Sequence, residues 1–181
     1  MSIVARVGLP CLEGFGQGLG MALAVMVLVV GLPGAGKTTV ARRLEAERDA
    51  VRFTPDEWME ALFGVSEADG RRWVLESELL WGVAARVLSL GGDVVLDYGC
   101  WAEVERDLFR TRAQELGALA EIVVLDLPVD VLWERLETRN AALPAATFSI
   151  TREELEEYNA TFQVPSAAEL ARWDRQTVVT E

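Results

Sequence analysis

Residues 31–38 read Gly-Leu-Pro-Gly-Ala-Gly-Lys-Thr, after a continuous apolar run over residues 21–30 and before a helical pattern. This order constrains the fold more than any other feature of the chain. The glycines let successive backbone amides turn inward into an anion-binding nest, and the helix that follows points the positive end of its dipole at the same place. The pattern G-x-x-x-x-G-K-[ST] is complete, with Lys37 set to span the outer phosphates of a nucleoside triphosphate and the Thr38 hydroxyl set to ligate Mg²⁺. Lys37 is also the only lysine in 181 residues. Gly31, Gly34, Ala35, Gly36, Lys37, Thr38 and Thr39 are therefore the expected nucleotide contacts, with ATP and Mg²⁺ as the bound species.

From residue 25 onward, short apolar runs alternate with helical patterns, the signature of βαβ units around a parallel sheet covered on both faces. Strands are expected at 25–30, 51–54, 93–97, 121–126 and 177–180. Helices are expected at 38–48, 104–116 and 129–139, with a longer one ending at Gly91-Gly92 whose buried stripe comprises Trp73, Leu80, Trp81, Ala84, Val87 and Leu88. Thr151-Arg152-Glu153-Glu154 reads as a capping box that opens an acidic helix. The fold class that results is α/β, a three-layer α/β/α arrangement with a five-stranded parallel sheet. Residues 21–181 form one domain, with a short helical lid at about 140–162 that includes a mobile loop around Pro144.

Residues 1–20 are Gly-rich, lack periodicity and are expected to be a loosely ordered extension, so Met1, Met21 and Met26 all stand as possible starts. The apolar run before Gly31 is too short for the ~20 residues a bilayer span requires. A cytoplasmic protein is expected, with Cys11 and Cys100 as free thiols. The chain has no histidine, which removes Ser-His-Asp and Cys-His nucleophile chemistry and histidine-ligated zinc. Its formal net charge of −12 argues against a nucleic-acid backbone or an anionic membrane as the main partner.

The remaining candidates lie at the carboxyl edge of the expected sheet. Asp97 closes the strand Val94-Val95-Leu96, where a carboxylate meets Mg²⁺ or its water shell, although a solvated strand-end residue would look the same. Asp56 follows the second strand through Thr54-Pro55, and an N-cap is its competing role. Arg135 and Arg139 share a helix face just before the lid, where guanidiniums can stabilise the charge of a transferring phosphoryl group; pairing with Glu134 and Glu137 is the alternative. Tyr98 and Trp101 are candidate walls of an acceptor pocket, and Arg106 a candidate substrate or phosphate contact. Cys100 is read as structural.

Taken together, the 31–38 loop, Thr54-Pro55-Asp56-Glu57, Leu96-Asp97-Tyr98-Gly99, Arg106, Leu132-Trp133-Glu134-Arg135, Arg139-Asn140 and the Thr151 segment resemble the small bacterial P-loop kinases. These are AAA-family ATP-binding proteins similar to chloramphenicol phosphotransferase, zeta toxins and polynucleotide kinase modules. The resemblance implies that Asp56 is the general base on an acceptor hydroxyl and that Arg135 and Arg139 bind ATP phosphates. It leaves open whether Asp56 or Asp97 is the base. The expected activity is transfer of the γ-phosphoryl group of ATP to a hydroxyl of a small molecule. A 5′-hydroxyl polynucleotide kinase and a regulatory NTPase acting on a protein partner are the alternatives.

Overall fold

The computed structural model describes residues 23–67, 69–142 and 148–180. The proposed N-terminal extension, with Cys11 and the alternative starts Met1 and Met21, lies outside them, as does the stretch of the lid around Pro144. The element order is β1 (Val25–Gly31), α1 (Lys37–Arg48), β2 (Val51–Phe53), α2 (Pro55–Phe63), α3 (Arg71–Val74), a π-helical segment (Leu75–Leu80), α4 (Trp81–Ser89), β3 (Val94–Gly99) and α5 (Glu103–Glu115), then β4 (Leu119–Leu125), α6 (Val129–Ala142), α7 (Arg152–Thr161), α8 (Ala167–Leu170) and β5 (Arg175–Val179). The five strands form one parallel sheet in the order β2-β3-β1-β4-β5.

Strand β1 is buried on both faces because both faces are covered by helices. Val25, Val27 and Val29, with Val95, Val123 and Leu125, pack with Ala41 and Leu44 of α1, Leu132 and Leu136 of α6 and Leu155 of α7. Met26, Leu28 and Val30, with Leu96, Tyr98 and Ile122, face Leu75, Leu80, Ala84 and Leu88 of the 71–89 helix, Phe109 of α5 and Trp173. Helix α1, which follows β1, and helix α5, which follows β3, thus leave the sheet on opposite faces. The two strands are neighbours, so a crevice opens between them at their carboxyl ends, as expected where strand order reverses.

The 71–89 rod departs from the expected helix in one way. A π-helical stretch over Leu75–Leu80 interrupts the α-helix, and this resets the face that each side chain presents. Leu75, Glu76, Ser77 and Leu80 turn inward, whereas Trp73, expected in the core, is 41% exposed. Arg112 of α5 donates to the Ser77 carbonyl at 2.7 Å, satisfying an acceptor within the π stretch. Among the described residues, no helix is long and apolar enough to cross a membrane.

Candidate active site

The crevice between β1 and β3 is a cleft of about 770 Å³. Its floor at one end is the 33–39 loop. Gly34 has φ +82°, and a Cβ there would lie 2.9 Å from the Leu132 carbonyl oxygen, so a side chain is excluded by both backbone and space. Gly36, the N-cap of α1, has φ +93°. Gly34, Gly36, Lys37, Thr38 and Thr39 all line the cleft. Gly31 ends β1 and Ala35 is buried; both shape the loop from behind its surface. Lys37 Nζ donates to the Leu32 carbonyl at 3.0 Å, across the mouth of the loop. Burial lowers the Lys37 pKa from its ordinary value, opposed by the charges of Asp97 and Asp56.

Asp97 is brought to the same end of the cleft and is 5% exposed. Its Oδ2 accepts from Thr54 Oγ1 at 3.2 Å, and Thr54 in turn accepts from Arg52. The end of β2 thereby fixes the carboxylate at the end of β3. Asp97 Oδ1 is buried and has no hydrogen-bond partner. Burial raises the Asp97 pKa, against the pull of the Lys37 charge. A buried carboxylate oxygen left unpaired is costly, and a hard cation or its bound water relieves that cost. The donor set therefore fits Mg²⁺: the Thr38 hydroxyl and the Asp97 carboxylate would hold it, beside a loop built for phosphates.

On the opposite wall, Arg135 and Arg139 of α6 both reach the cleft. Arg139 Nη2 donates to the Phe148 carbonyl at 2.9 Å, while its Nε is buried and unpartnered. Burial lowers the Arg139 pKa, and the nearby Asp56 charge opposes this. Arg135 makes no ion pair with a described residue. The alternative, pairing of these arginines with Glu134 and Glu137, is not formed among the described residues, and the Arg139 Nε and the Arg135 guanidinium stay available to an anion. Asn140 closes the base of the lid, donating to the Ile150 carbonyl at 2.7 Å, and the Thr151–Glu154 capping box starts α7 as expected.

Asp56 does not cap its helix. Helix α2 begins earlier, at Pro55 with Thr54 as N-cap, so Asp56 sits in the first turn with its carboxylate turned into the cleft. Arg72 Nη1 donates to Asp56 Oδ1 at 2.7 Å, and Arg72 Nε donates to Glu76 Oε1 at 2.9 Å. The Glu76 carboxyl is pushed up to about 7 by burial, with Arg72 pulling it down and Glu105 and Asp56 adding to the rise. Arg72, Glu76 and Glu105 were not among the residues expected from sequence. The i,i+4 spacing of Arg72 and Glu76 was the available signal, but the contact of Arg72 with Asp56, on another helix, has no counterpart in local sequence.

Tyr98 lies beneath this end of the cleft, edge-on to Phe109 at 5.2 Å between ring centroids. Trp101 lines the cleft and packs on Tyr158 at 4.8 Å. Cys100 is buried, and burial raises its thiol pKa, consistent with an inert thiol. Arg106 does not reach the cleft. Its guanidinium is fully buried, forms a two-pronged pair with Glu169 at 2.6 and 2.8 Å, and donates to the Cys100 and Trp101 carbonyls. Cys100 has φ +40°, a conformation costly for a non-glycine residue. Arg106 braces that turn and thereby sets where Trp101 stands.

Residues 26–165 match the model of the AAA_33 family, described as an AAA domain. The chain belongs to that family. It is 38% identical over 129 residues to a shikimate kinase of Aromatoleum aromaticum, an alignment that covers 64% of each chain, so the domain spans just under two thirds of that relative's length. Among solved structures, a kinase candidate from Chloroflexus aurantiacus superposes with a TM-score of 0.69 at 19% identity, covering 88% of this chain and 89% of the other. A gluconokinase from Sinorhizobium meliloti does so with a TM-score of 0.59 at 19% identity, covering 87% and 83%. The domain therefore has the fold of the small P-loop kinases.

Proposed function

We propose that the domain is a kinase that transfers the γ-phosphoryl group of ATP to a hydroxyl of a small-molecule acceptor. One observation carries this reading: a single cleft holds the phosphate loop, two arginines of α6 that pair with no carboxylate among the described residues and, with them, the Asp56–Arg72 pair. The first group fits a polyphosphate; the second fits a hydroxyl that must lose a proton. Family membership and the 38% identical shikimate kinase support a phosphotransferase with a hydroxyl acceptor. The net charge of −12 weighs against the polynucleotide alternative.

In this reading the acceptor O–H gives its proton to the Asp56 carboxylate as its oxygen bonds to the γ-phosphorus. The bond from that phosphorus to the β–γ bridging oxygen breaks, and ADP leaves with the electron pair. Lys37 and Arg139 offset charge on the phosphate oxygens, and Arg135 joins them from the same helix face. Thr38 and Asp97 would hold Mg²⁺, which would supply charge neutralisation for the phosphates. Asp97 is the less suited base, because it is 5% exposed, lies against the loop and is taken up by the metal in this reading, whereas Asp56 is 44% exposed at its side chain.

Screening metabolites, nucleosides and antibiotics for acceptor-dependent ADP release tests the reading. With the acceptor found, Asp56→Asn is expected to keep ATP binding and lose transfer; a fully active variant removes Asp56 from the base role.

A further inference from the structure

The outer face of the 71–89 rod is apolar and uncovered. Leu79 is 62% exposed and Leu90, just after α4, 67%, with Val83 exposed between them. Together with Gly82 and Arg86 they form one stripe at the three- and four-residue spacing of a helix–helix seam. The inner face of the rod is already spent on the sheet, through Leu75, Leu80, Ala84 and Leu88. Gly82 stands in the middle of the outer stripe. A Cβ there would meet nothing within 4 Å, so the packing of a single chain does not call for a glycine, which weakens an exposed helix relative to alanine. What the missing side chain does allow is the close approach of a second backbone.

Charge on the stripe is arranged symmetrically about that glycine. Glu78 lies four residues before Gly82 and Arg86 four after it. Both are exposed, and neither side chain has a hydrogen bond or ion pair among the described residues. Two copies of the rod packed antiparallel about a two-fold axis at Gly82 set Glu78 of one protomer against Arg86 of its partner, and the axis makes that contact twice. The same packing brings Leu79 and Val83 of the two copies together over the crossing. The stripe is also electrically neutral on a chain of net charge −12, whereas self-association through an acidic surface meets repulsion. We propose that this face binds a second copy of the chain, as an antiparallel pair of α4 helices with Gly82 on the two-fold axis. The 33–39 loop, α2 and α6 take no part in it, and the inference does not rest on the kinase reading.

Sedimentation velocity on the full chain, from about 1 to about 100 µM, tests it. A stripe of this length buries less than the roughly 800 Å² per partner of a standard interface, so a weak dimer that forms toward the upper concentrations is expected. Glu78→Arg and Arg86→Glu each replace two attractive contacts with two repulsive ones, and each is expected to weaken self-association about tenfold. Mixed in equal amounts, these two variants regain both contacts and are expected to form a heterodimer as readily as the wild type dimerises. Gly82→Leu fills open space in the single chain and is expected to stay folded by circular dichroism but monomeric. The proposal is overturned by a wild type that stays monomeric throughout, by single reversals or Gly82→Leu dimerising as the wild type does, or by a mixture that fails to associate.

Discussion

Arg72 donates to Asp56 across 2.7 Å, although they stand 16 residues apart on different helices. The pair holds the proposed base in the cleft without a neighbour on its own helix. Arg72→Met should therefore release Asp56 and leave Glu76 buried without its partner. Stability is expected to fall by about 2 kcal/mol, read by urea unfolding, while MgADP affinity stays within about twofold because no loop contact is touched. A large loss of nucleotide affinity with unchanged stability would refute this division of labour.

Glu76 makes stability depend on pH. Its carboxyl is pushed from 4.5 up to about 7, chiefly by burial. The folded domain thus keeps a proton that the unfolded chain releases, so this group's contribution is fully present below about 4.5 and is lost as pH rises to about 7. Glu76→Gln imitates the protonated form. Its stability relative to the wild type should rise across that window by at most about 3 kcal/mol. Unfolding curves on either side of the window measure the difference, and a constant offset would contradict it.

Two glycines of the phosphate loop should respond unequally. Gly34→Ala combines a left-handed backbone with a clash at 2.9 Å against the Leu132 carbonyl. It is expected to cost about 3 kcal/mol and to abolish nucleotide binding. Gly36→Ala meets nothing within 4 Å, so only the backbone term remains, about 1 kcal/mol. Thermal unfolding of both variants checks the ranking; equal losses would mean that α6 does not crowd the loop.

Arg106 is predicted to matter for folding and not for phosphate recognition. Arg106→Ala leaves Glu169 as an unpaired buried charge and should cost about 3 kcal/mol or more. The double variant Arg106→Met with Glu169→Leu should recover much of that loss. Folded Arg106→Met/Glu169→Leu should bind MgADP as the wild type does, measured by calorimetry. A selective loss of nucleotide affinity in the stable double variant would return Arg106 to the cleft.

The centre of the sheet was legible because β1, β3 and β4 are buried on both faces and their runs of Val, Leu and Ile stand out between helical patterns. Expected and observed limits differ by one or two residues, as at β5, which starts at Arg175 instead of Thr177. The phosphate loop was legible because its chemistry is local: eight consecutive residues carry the turn, the lysine and the hydroxyl. The end of the cleft around Asp56 and Arg72 was not, because it is assembled from α2, the 71–89 rod and α5. No regular periodicity announces that a π stretch will turn Trp73 outward and Glu76 inward. Arg106 was misplaced for the same reason, since its partner Glu169 lies 63 residues away and nothing near Arg106 in sequence reveals it.

The 33–39 loop and its lysine are expected to bind the phosphates of a magnesium nucleotide. Calorimetric titration of MgATP into the wild type and Lys37→Ala tests this most directly. Saturable binding with one site per chain, weakened by chelating Mg²⁺ and lost in the variant, is the predicted result. Equal affinity in the two proteins would contradict it.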